Sequence, residues 1–118
     1  MAKKPMGRDD SNTIGFTLNT TNLSSDTSAS FNREGHVVVF KIAGKTAVSM
    51  STDNAKALGT VDVKPAAAVY FPAIINDTGC AYAGYVSVSS SSGQVTLNVA
   101  TSIASGKRIA VSGSYWVD

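Results

Sequence analysis

Histidine and cysteine each occur once in this chain of 118 residues, as His36 and Cys80. A lone cysteine excludes an intrachain disulfide framework and a zinc site built from cysteines. It fits assembly in a reducing compartment such as a cytoplasm. Catalytic chemistry is also thinly supplied. No G-x-S-x-G turn is present to expose a serine nucleophile. Cys80 and His36 have no third, orienting group at a telling spacing, so Cys80 reads as a small buried residue. The carboxylates are dispersed, with Asp9-Asp10 the only adjacent pair. Gly-rich phosphate loops and metal-ligand spacings are absent. Neither an enzyme nor a cofactor or metal site is expected.

Charge is scarce too. Asp, Glu, Lys and Arg make up 15% of the chain and its net charge is +2, where a quarter charged is roughly usual. The basic residues are scattered, and the only doublets are Lys3-Lys4 and Lys107-Arg108. Neither is a stripe that could track a phosphate backbone, so no nucleic-acid partner is expected. Long apolar runs are missing, which argues against a membrane-spanning helix. The start, MAKKPMGRDDSN, has no apolar stretch after its lysines and does not read as a signal peptide.

What the chain does have is β-branched residues, serine, threonine and asparagine, with 43% hydrophobic residues overall. Its length suits one domain that buries roughly two-thirds of its unfolded surface. Residues 1–12 read as an arm, and residues 20–30 have linker composition. The expected boundary lies near residue 30, with an N-terminal arm and linker over 1–30 and a compact domain over 31–118. Within the arm, residues 13–19 (TIGFTLN) predict a short strand with Ile14, Phe16 and Leu18 on one face.

Residues 36–43 (HVVVFKIA) carry the strongest strand signal and are apolar on both faces apart from Lys41. Such a strand lies centrally in a sandwich or against another subunit. A turn is expected at Gly44-Lys45, a second strand over 46–51, and a loop or single helical turn over 52–59. In TVDVK, Val61 and Val63 alternate with Asp62 and Lys64 before Pro65 breaks the ladder. Residues 67–75 are apolar throughout and interrupted by Pro72. Residues 76–79 (NDTG) are turn chemistry. Strands over 82–89 and 94–100, joined through Ser90–Gly93, form a hairpin signature. The closing strand over 108–117 puts Ile109, Val111, Tyr115 and Val117 on one face, and Arg108, Ser112, Ser114 and Trp116 on the other. Gly113 falls on the inner row, where it marks a bulge or a close approach by another backbone. The class is all-β: an antiparallel β-sandwich, jelly roll or small barrel.

Four aromatics, Tyr82, Tyr85, Tyr115 and Trp116, lie in the last third. An aromatic ring with a polar handle suits stacking on a sugar. The candidate ligand-binding residues are Trp116, Tyr115, Tyr85, Tyr82, Arg108 and His36. The competing assignment for each aromatic is core or subunit interface. Two strands apolar on both faces are more than a two-layer domain of this size can cover, which points to self-association.

Residues 58–118 resemble the C-terminal head modules of tailed-phage fibre and baseplate receptor-binding proteins. The resemblance rests on LGTVDVKPAAAVYFPAI, a polar loop, GYVSVSSSSGQVTLNV, and KRIAVSGSYWV near the end. It extends more loosely back to about Phe31 and does not cover the first 30 residues. It implies a trimeric antiparallel β-sandwich head that attaches to host cell-surface saccharide, often in clefts between subunits. The implied location is the virion, assembled in host cytoplasm, with other virion proteins contacted through residues 1–30. The alternative is a purely structural capsid decoration protein. A non-viral lectin-like domain is a third reading.

Overall fold

The structure, a computed structural model, describes residues 12–77 and 80–117, without the side chains of residues 77 and 80–83. Eight strands run in the order β1 (Phe16–Leu18), β2 (Ser28–Glu34), β3 (Val37–Lys45), β4 (Lys56–Val61), β5 (Val69–Asp77), β6 (Cys80–Val88), β7 (Gln94–Val99) and β8 (Arg108–Trp116). The all-β antiparallel class read from the sequence is what the chain adopts. All eight strands form one sheet, ordered β1-β4-β7-β6-β5-β8-β3-β2. The two edges meet, because Thr13 bridges Asn32 and the Ile14 N–H donates to the Phe31 carbonyl at 2.8 Å. The sheet is therefore rolled nearly into a barrel. Within it, β5, β6 and β7 form a meander and β8 returns beside β5, a Greek key.

Side-chain alternation explains which face turns inward. Val38, Phe40 and Ile42 of β3 are buried, as are Val95, Leu97 and Val99 of β7 and Ile109, Val111 and Tyr115 of β8. A column of aromatic rings crosses the interior. Phe16 stacks on Phe31 at 4.8 Å between centroids, Phe31 on Phe40 at 5.1 Å, and Phe40 meets Phe71 edge-on at 4.9 Å. Gly113 makes room for the last contact, since a Cβ there would lie 2.4 Å from the Phe71 ring. The close approach expected at Gly113 is thus by a ring, not by backbone.

Proline shapes the wall as well. The β5–β8 ladder stops at Ala73, one residue after Pro72, while the β5–β6 ladder continues to Val69. Pro72 has no N–H to offer, and beyond it β5 and β8 no longer pair.

The expected hairpin is present, with Val88 opposite Val95. Ser89 holds its turn: its hydroxyl accepts from the Ser91 and Ser92 N–H groups at 3.2 and 3.3 Å. Gly93 closes it at φ 76°, a conformation that favours glycine.

Several expectations need correction. Residues 20–30 are not a linker. Leu23 is fully buried, β2 starts at Ser28, and the barrel closes through residues 13 and 14. The arm-to-domain boundary at residue 30 therefore cuts through the core; residues 1–11 lie outside the described residues. The turn placed at Gly44-Lys45 is the end of β3. Residues 46–51 are not a strand but part of a loop plugging one end of the barrel. Met50 and Ile103 exchange two backbone hydrogen bonds of 2.9 Å, and both side chains are buried. Thr46 anchors that plug: its Oγ1 accepts from the Lys107 N–H at 3.0 Å and donates to the Ala104 carbonyl at 3.3 Å. The helical turn expected over 52–59 is a short turn running into β4, and no α-helix occurs among the described residues.

Candidate functional site

Three strands build the most distinctive patch on the outer wall. Register places Tyr70 of β5 opposite Ser87 of β6, and Ser87 opposite Thr96 of β7. Tyr85 sits two residues from Ser87 and so lies diagonal to Tyr70. Their ring centroids are 6.0 Å apart, with the planes tilted by 58°. Inner neighbours force both outward: Val69 and Phe71 pack on the core around Tyr70, and Val86 is fully buried beside Tyr85. Tyr70 is 66% exposed and Tyr85 46%.

Beside Tyr70 runs a shallow groove of about 350 Å³, bordered by Ala68, Ser87, Ser89, Ser92, Gln94 and Thr96. Gln94 Nε2 donates to Thr96 Oγ1 at 3.1 Å, which sets the amide orientation. No residue lining this groove carries a charge. Two aromatic faces next to hydroxyls and an amide suit a neutral polyhydroxyl ligand: C–H faces stack on the rings, and hydroxyls meet Ser, Thr and Gln.

The candidate residues read from the sequence do not gather into one site. Trp116 is 69% exposed and sits opposite Val37 at one end of β8. His36 is its neighbour there, exposed, with its backbone carbonyl accepting from the Val117 N–H at 2.8 Å. Arg108 is at the other end of the same strand face. It lies eight positions from Trp116 along the chain, about 26 Å in an extended strand. Tyr85 stands on β6, two strands from β8. Of the expected set, only Trp116 and His36 share a locality among the described side chains. Tyr82 has its backbone opposite Ile75, and its side chain lies outside the described residues.

Tyr115 requires correction, for it faces the core and is 2% exposed. It shares the phase of Ile109 and Val111, and period-two alternation sends all three inward. Its hydroxyl donates to the Val63 carbonyl at 2.9 Å, tying β8 to the β4–β5 loop. Burial pushes its pKa up to about 12. An unfolded tyrosine titrates near about 10. The folded state therefore holds the proton after the unfolded state has released it. Tyr115's contribution is complete below about pH 10 and is lost as pH rises toward about 12. Urea titrations of the parent and of Tyr115→Phe across that window should show the parent losing stability more steeply. Parallel slopes would refute the assignment.

Tyr70 was missed by sequence reasoning. It stands inside AAVYFPAII, where an unbroken apolar run conceals which residues face out. The available signal was Pro72, which marks a wall position not fully paired on both sides. No group of three or more His, Cys, Asp or Glu side chains converges among the described residues.

No protein-family model matches the sequence, and neither does any curated protein. A solved structure does match. The head domain of lactococcal phage bIL170, determined in a study of receptor-binding domains of lactococcal phages, aligns with a TM-score of 0.69. The alignment covers 89% of this chain and 99% of that one at 15% identity. This chain has the fold of a phage receptor-binding head domain. The shared head-domain fold also takes in part of the segment read as an arm. Residues 31–118 are only 88 of the 118 residues, less than the 89% aligned. Among the described side chains, the exposed aromatics of the wall are Tyr70 and Tyr85 beside the groove, and Trp116 with His36 at the end of β8.

Proposed function

We propose that this chain is a bacteriophage receptor-binding head that attaches to carbohydrate on the host cell surface. The observation that carries this reading is the head-domain fold matched over nearly the whole of both chains. The uncharged groove at Tyr70, with Tyr85 beside it, supports it and is assigned as the saccharide contact. Trp116 and His36 form a second contact at the barrel end. The active form is a homotrimer. Val39 and Ile74 are 49% and 57% exposed on the outer wall, apolar surface that symmetric copies would cover. The protein resides in the virion. Its contact with other virion proteins falls to residues 1–11, because residues 12–30 are taken up by the barrel. Binding proceeds without catalysis.

The purified protein should adsorb to host cells and compete with phage for infection. Tyr70→Ala should weaken adsorption roughly tenfold, the loss of one ring-stacking contact, while its melting temperature stays close to the parent's. A protein that neither adsorbs nor competes, and is found on the capsid shell, is a structural decoration protein instead.

A further inference from the structure

Two cations stand directly opposite each other on the outer wall, away from the Tyr70 groove. Lys45 of β3 and Arg108 of β8 are register partners, and Arg108 is also the partner of Asn76 on β5. Three polar side chains thus lie side by side across three adjacent strands, all on exposed positions. Like charges directly opposite in a sheet oppose folding, so stability does not account for this arrangement. Among the described residues, the Arg108 guanidinium and the Asn76 amide make no side-chain hydrogen bond or ion pair. Asp26 stands at the rim and offsets part of the Lys45 charge. Arg108 has no such partner among them.

Next to the cations the wall is hollow. Ala43 of β3 faces Ala110 of β8, and this small pair leaves a groove of about 470 Å³ bordered by Lys45, Arg108, Asn76 and Asp26. A planar guanidinium takes two oxygens of a phosphate or carboxylate at once. The ammonium and the amide N–H complete an anion contact from either side. We infer that the Lys45–Arg108–Asn76 groove binds the anionic group of a cell-surface polymer, a phosphodiester or a carboxylate. The inference rests on the receptor-binding reading for the source of the anion, not for the site. It divides the wall into a neutral contact at Tyr70 and an anionic contact six residues along β5 at Asn76, about 20 Å away in an extended strand.

The test is a titration of the isotopically labelled full chain, followed by amide NMR at constant ionic strength. The probes are dimethyl phosphate, glucuronate and a chloride control. The expected result is saturable shifts at Gly44, Lys45, Asn76 and Arg108, weakened about tenfold or more in Lys45→Gln and in Arg108→Gln. Tyr70→Ala should leave them unchanged. Both glutamine variants should melt no lower than the parent, since each relieves a like-charge pair. The stronger of the two probes names the anion. Shifts no larger than chloride's, or shifts indifferent to Arg108→Gln, overturn the proposal. Saturable phosphate shifts in a protein that fails to adsorb to cells would uphold the site and remove the attachment reading. Adsorption without anion shifts would do the reverse.

Discussion

A chain that begins at Phe31 should fail to fold. Removing residues 1–30 takes away Leu23 and Ile14, which are 0% and 8% exposed, and the half-buried Phe16, Leu18 and Ala29. Each fully buried aliphatic side chain contributes about 1.5–3 kcal/mol. The pairing of β1 with β4 goes too, as does that of Ser28–Ser30 with Lys41–Ala43. Backbone partners are lost for Leu58, Asp62, Lys45 and Ala47, which bond to Asn19, Gly15, Ser24 and Asn22. The barrel seam opens, and β4 becomes an unprotected edge next to exposed core. Domains of this size hold only about 5–15 kcal/mol in all, and these losses consume most of that range. Circular dichroism and thermal melting would check it. A cooperative melt within a few degrees of the full chain would make 31–118 an autonomous unit and refute the argument.

Phe31→Ala should cost about 4 kcal/mol, within the range for deleting a buried ring. Phe31 is 1% exposed and occupies the middle of the aromatic column, stacked on Phe16 from β1 and on Phe40 from β3. It lies at the seam itself, its carbonyl taking the Ile14 N–H. The vacancy cannot collapse readily, because its neighbours belong to three strands whose registers are already set. At roughly 4 °C per kcal/mol the melting temperature falls by about 16 °C. Trp116→Ala, at a site 69% exposed, should stay within about 0.5 kcal/mol of the parent. Comparable melting temperatures for the two variants would show that the column does not organise the core.

Both results bear on how far the sequence could be read. Strong alternation made β7 and the inner row of β8 legible, because Val95, Leu97 and Val99, like Ile109 and Val111, are large and regularly spaced. The same phase placed Tyr115 inside, although its residue type had argued for a ligand. The strand β2 was hidden. Its inner row is Ala29, Phe31 and Arg33, and its outer row is serine, asparagine and charge, so one phenylalanine carries the apolar signal. Residues 46–51 failed the other way. Their local alternation suits a strand, but Met50 finds its backbone partners in the loop at Ile103. No six-residue window records that competition.

By itself the sequence determined the antiparallel β class, the hairpin from Tyr85 to Val99, and the inward row of the last strand. Those follow from period-two alternation and turn chemistry, which act over a few residues. The closing of the barrel, the place of residues 13–30 within it, and the outward face of an all-apolar strand were decided by tertiary structure. So was the meeting of Lys45, Asn76 and Arg108, every pair of which lies at least 31 positions apart in the chain. Register between distant strands brings such residues together, and register depends on burying the whole interior at once.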